Sequence, residues 1–180
     1  MSFDVRSDAV ASRLHSAAAG LLLAVLTLLL GQGMGIAFGV NEDAIKGRLR
    51  AGAAAVRDSA YQGDEVAAMA VVDKSWTYLK RAHLHAGGMG TTAVVLILVL
   101  CLVRVRVQLH AILSIALGAG GLGYSIFWMW AGFRAPGLGG TGAAKESLDW
   151  LAMPSSGAFV LATLAVFTVI IVAWRAPRNP

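Results

Sequence analysis

The side chains with the most chemistry to offer in this chain are four histidines and one cysteine. Two of the histidines stand two positions apart in Lys80-Arg81-Ala82-His83-Leu84-His85-Ala86-Gly87-Gly88-Met89-Gly90, at the mouth of a long apolar run. A neutral imidazole can ligate a metal when one ring nitrogen keeps its lone pair and the other is held by an acceptor. On an α-helix, residues two apart point about 200° away from each other, so His83 and His85 cannot both face one site. His83 continues a seam through Trp76 and Leu79 and shares a stripe with Ala86, Gly87 and Gly90, where missing side chains leave room for a planar ring. It is the candidate inward residue. His85 groups with Tyr78 and Met89, towards lipid headgroups, a partner protein or the glycines of the first helix. The plainer alternative is that both are interfacial histidines whose apolar body and polar tip suit the headgroup region.

His15 and His110 form a second candidate pair, each one turn inside a helix that begins on the same side of the membrane. The bilayer thickness keeps them from sharing a metal with His83 or His85. Gln108 beside His110 offers ordinary interfacial hydrogen bonding instead. Cys101 is the single cysteine, so no internal disulfide or cysteine-based metal site is available. Nothing resembles a nucleophile triad, a phosphate-cradling glycine loop or a paired-carboxylate site.

What must position these side chains is a set of membrane helices. The 180 residues are 57% hydrophobic and 14% charged, against about 25% charged in a soluble domain. A bilayer core about 30 Å thick needs roughly 20 apolar residues per helix. Four runs meet that length: Leu14–Val40, His83–Val103, Gln108–Phe133 and Ser156–Trp174. They predict an all-α, integral membrane four-helix bundle forming one domain over residues 1–180, with both termini on one side. The first run exceeds the 7–15 residues of a signal peptide's apolar region and reads as a retained helix. The net charge of +5 is spread between spans, which argues against nucleic acid and for anionic lipid headgroups.

The turn from Arg104 to Val107 makes a tight hairpin. A Gly-rich stretch over 135–142 and a short amphipathic piece ending at Pro154 join the last two spans, with Trp150 in the interface. The connection over 41–82 is too long for a bare loop. It predicts a basic helix from Glu42 to Ala60, a break at Gln62-Gly63, and then an amphipathic helical arm from about Glu65 that runs into the second span. Met69, Val72, Trp76, Leu79 and His83 form its seam. Six of the 15 basic residues (Arg6, Arg13, Arg104, Arg106, Arg175, Arg178) lie on the side of the termini, nine on the other. The six sit tight against helix ends, where the positive-inside rule is read most directly, and predict cytoplasmic termini in a bacterial inner membrane.

Gly31, Gly35 and Gly39 fall four apart on one face of the first span, and Ala86 and Gly90 share a stripe on the second at the same depth. Such glycine zippers let helix backbones approach in lipid. The alternative is that the glycines make room for a flat cofactor.

The run from Lys80 to Gly90 resembles the start of the second helix of haem-copper oxidase and nitric oxide reductase catalytic subunits. It also resembles small uncharacterised four-helix membrane proteins with a His-x-His followed by Gly at this place. The resemblance covers about a dozen residues and implies that His83 or His85 is an axial ligand of haem b, or a ligand of copper. With four spans and none of the later histidines of the oxidases, a complete oxidase site is excluded. What the resemblance leaves is a single haem or copper site finished by another chain. Three functional expectations result: a non-catalytic subunit or assembly factor packed against other membrane subunits, a redox-associated module carrying haem or copper, and a small transporter. The spans lack the buried charges that mark a substrate path, which disfavours the last.

Overall fold

A computed structural model describes residues 3–175, with side chains from residue 10 onward. Among these the chain is helical and has no strand: α1 (Phe3–Ala54), α2 (Arg57–Ala60), α3 (Glu65–Leu102), α4 (Val107–Arg134), α5 (Thr141–Glu146) and α6 (Asp149–Arg175). The long elements α1, α3, α4 and α6 are each long and apolar enough to cross a membrane. Large apolar side chains face outward along them, with Leu22 70% and Leu161 68% exposed, a surface that lipid can cover and water cannot cover cheaply. Of the six basic residues on the side of the termini, Arg178 lies outside the described residues and the Arg6 side chain outside the described side chains.

The first apolar run and the basic segment after it join into one helix as far as Ala54; the expected continuation to Ala60 is broken at Val56, and Arg57–Ala60 form the separate α2. The backbone of Asn41 departs from helical values (φ −127°, ψ 25°) between Val40 and Glu42, which kinks α1 where apolar sequence gives way to charge. Asn suits that place because its side chain competes for backbone hydrogen bonds. The break at Gln62-Gly63 is a reversal with φ of 55° and 80° at the two residues. Asp64 then caps α3, its carboxylate accepting from the Ala67 N–H at 3.0 Å, a cap of about 1 kcal/mol.

From Asp64 the helix runs unbroken to Leu102, and its seam is not bare. Val72 and Leu79 are buried against Leu49 and Ala53 of α1 and against Tyr61, with Phe38, Ile45 and Val56 at the edges. The distal half of α1 folds along the distal half of α3, so the two extend beyond the apolar run as a pair.

The register is fixed by small residues. α1 runs antiparallel to α3, with Gly31 at Ala86 and Gly90 at Leu28, and parallel to α4, with Gly20 at Ser114. α4 runs antiparallel to α3 and to α6, where Gly120 and Gly123 meet Phe159 and Ser155. The result is a helical bundle in which α1, α3 and α4 pack mutually while α6 lies chiefly on α4. At membrane depth Ala17, Ala24, Ala93, Ile97, Leu100, Leu113, Leu117, Ala162 and Val166 form one core. The last span starts earlier than its apolar run. α6 begins at Asp149 and carries Pro154 in its second turn, where the missing N–H forgoes one backbone bond to the carbonyl of Trp150.

Candidate functional site

His83 and His85 sit on opposite sides of α3, and each is taken up by a different neighbour. The half-buried His83 ring places Nδ1 2.8 Å from the carbonyl oxygen of Gly31. A carbonyl can only accept, so Nδ1 carries a proton, and in the neutral ring Nε2 keeps its lone pair. The ring covers Gly35 so closely that a Cβ there would lie 3.0 Å from His83 Cε1. Its edge meets Phe38 at 6.0 Å, and Phe38 in turn meets Trp76 at 5.0 Å.

The stripe on which His83 was placed is occupied by α1. Ala86 is buried with no exposure, and its Cβ would stand 3.1 Å from a Cβ at Gly31, while a Cβ at Gly90 would meet Leu28 at 2.9 Å. Gly87 and Gly39 face nothing within 4 Å. Of the expected stripe on α1, then, Gly31 meets helix backbone, Gly35 meets an imidazole, and Gly39 is open.

His85 turns to α4. It packs on Tyr124 at 5.1 Å and stacks on Trp128 at 6.0 Å and 27°. The helix-one glycines, offered as one destination for His85, are met by His83 instead, because α1 lies on the Ala86 side and α4 on the Met89 side. Trp128 meets Tyr78 edge-on at 4.8 Å, and the Arg81 guanidinium lies over both rings, 5.1 Å from Trp128 and 5.5 Å from Tyr78.

The other pair is divided differently from its sequence reading. His15 is exposed, while His110 is fully buried at the α1–α4 contact. Its partner is Ser16, whose Oγ lies 2.9 Å from Nδ1. Ser16 spends its own proton on the Arg13 carbonyl at 2.8 Å, so Nδ1 of His110 is the donor. His110 Nε2 and Ser114 Oγ are buried without a partner among the described residues. Nearby, Arg13 Nη1 donates to the Cys101 carbonyl at 3.1 Å and satisfies one of the free carbonyls at the end of α3.

Sequence reasoning missed Ser16, Gly20 and Ser114. The signal was available: Ser16, Gly20 and Ala24 repeat every four residues, as do His110, Ser114 and Gly118. A Cβ on Gly20 would lie 2.2 Å from the Ser114 backbone, and one on Gly118 2.3 Å from the Gly20 carbonyl. This is the closest helix approach at the site.

Outside the spans, Tyr61 donates to the Pro136 carbonyl at 2.8 Å and pins the turn after α2 to the 3₁₀ turn Pro136–Leu138. Its burial raises the phenol's affinity for its proton. Among the described residues no three His, Cys, Asp or Glu side chains converge as a metal site would need.

Comparison with protein-family models, with curated proteins and with solved structures finds no match for this chain.

Proposed function

We propose that this chain is a non-catalytic subunit or assembly factor of a membrane complex, set in a bacterial inner membrane with its termini on the cytoplasmic side. What supports the orientation is Arg13, Arg104, Arg106 and Arg175 at the helix ends of that side. The observation that carries the function is how its two best-placed histidines are used. His83 ties α3 to α1 through Gly31, and His85 ties α3 to α4 through Tyr124 and Trp128. Both imidazoles act as packing elements, and they open into different grooves.

A second reading is a redox-associated module holding haem b or copper through His83. It is favoured by one feature: the Nδ1–H held by a carbonyl and the Nε2 lone pair left over are what a ligating imidazole needs. The donor chemistry fits, but the chain offers one ligand in that groove, so the site would be completed by another subunit, as the resemblance to the oxidase helix implies.

Two substitutions separate the readings. Asn at 83 places an amide N–H near the position of Nδ1, and Phe at 85 keeps a stacking ring. If the histidines pack, His83→Asn and His85→Phe leave the yield of native complex and its spectrum unchanged. Loss of a Soret band or of stoichiometric copper in His83→Asn, with the fold retained, selects the second reading.

A further inference from the structure

We propose that Arg81 and His85, on the platform of Tyr78 and Trp128, bind the phosphate of an anionic phospholipid. The site rests on the membrane reading above and adds a ligand to it. Arg81 is exposed, yet its guanidinium is held over two ring faces at 5.1 and 5.5 Å. Much of the entropy a long side chain loses on binding is therefore already spent. Among the described residues no carboxylate lies within ion-pairing distance of it. His85, stacked on the same Trp128, makes no hydrogen bond among the described residues, and the Trp128 Nε1–H is buried without an acceptor. The cluster is rich in donors and short of acceptors, and phosphate oxygens are acceptors that suit a planar guanidinium.

Depth selects the source of the phosphate. Arg81 is the last charge before the uncharged stretch from Ala82 to Val103, about 30 Å of helix. At the same end of the bundle Trp130, Phe133 and Trp150 are exposed, as aromatic side chains are at the headgroup level. A positive group at that level meets lipid phosphate at far higher local concentration than any phosphate in solution.

The test uses the full chain in nanodiscs of phosphatidylcholine doped with phosphatidylglycerol, reading lipid retained on the released protein by native mass spectrometry. Wild type should keep one phosphatidylglycerol in preference to phosphatidylcholine. Arg81→Gln should weaken that preference about tenfold, the loss of one charge-assisted contact. Arg81→Lys should fall between, and Arg175→Gln, which removes a charge at the opposite end of the bundle, should match wild type. Three results overturn the site: no preference in wild type, equal losses in Arg81→Gln and Arg175→Gln, which would mean a diffuse field, or displacement of the lipid by millimolar inorganic phosphate, which would mean an aqueous anion. Failure of the chain to enter nanodiscs at all overturns the membrane reading instead.

Discussion

His83 donates its Nδ1 proton to the backbone carbonyl oxygen of Gly31 at 2.8 Å. The bond exists because Gly31 and Gly35 lack side chains, so the imidazole can lie on the backbone of α1 and reach an oxygen that already accepts within its own helix. The glycines that let the helices approach also give the imidazole its acceptor.

Removing that bond should show in stability. His83→Ala is expected to cost about 1 kcal/mol in detergent, the scale of interhelical hydrogen bonds in membrane proteins, and His83→Asn should recover most of it. Unfolding followed by tryptophan fluorescence measures both, and equal losses for Ala and Asn would show that the ring's shape matters and its donor does not.

The three glycine environments on α1 should separate cleanly. Gly20→Ala forces a Cβ to within 2.2 Å of the Ser114 backbone, Gly35→Ala presses on the movable His83 ring, and Gly39→Ala meets nothing within 4 Å. Expected losses are about 3 kcal/mol for the first, about 1 for the second and none for the third. Detergent melting curves rank them, and a neutral Gly20→Ala would reject the α1–α4 register.

Ser16 and His110 should behave as a unit. Ser16→Ala leaves a second buried ring nitrogen unpaired and should cost about 1–3 kcal/mol, whereas adding His110→Leu should restore much of that, because replacing both partners by apolar groups can be nearly neutral. A double variant no better than the single one would place the cost elsewhere.

Outside the membrane, Tyr61 should give the fold a pH dependence at the alkaline end. Its proton is held more tightly when folded, so the contribution is complete below the unfolded phenol value of about 10 and lost as pH rises through the higher folded value. Melting of wild type should fall between neutral and strongly alkaline pH more than that of Tyr61→Phe. Equal pH dependence in the two would remove Tyr61 as the cause.

How much of this was legible depended on which interaction each residue answers to. The four long helices, and the break between α2 and α3, followed from local signals. The uncharged run to Val40 and the Gln62-Gly63 break each carry their own chemistry. The seam of Met69, Val72, Trp76 and Leu79 indicated that α3 would be covered on that side. Which helix meets which face was not legible, because in lipid an exposed Leu and a buried Leu look alike. His85 was left with three destinations for that reason, and Pro154, read as a stop, lies inside α6. The α1–α4 contact was missed because Ser16 and Ser114 read as ordinary polar residues at a helix end, although with Gly20 and Gly118 they repeat every fourth position. The sequence pointed to His83 as the inward residue of the pair; its ring lies against Gly31 and Gly35, and the stripe expected to leave space beside it is filled by α1.

In the proposed function this chain works as part of a larger membrane assembly, its histidines packing helices instead of holding haem or copper. The direct measurement is the mass of the native particle, extracted into polymer nanodiscs from haem- and copper-replete cells and read together with its absorption spectrum. The native particle should be well above the 18.7 kDa of the chain, with other membrane subunits in fixed proportion and unchanged in composition and spectrum by His83→Asn. An isolated chain with a Soret band or bound copper that His83→Asn abolishes would contradict it.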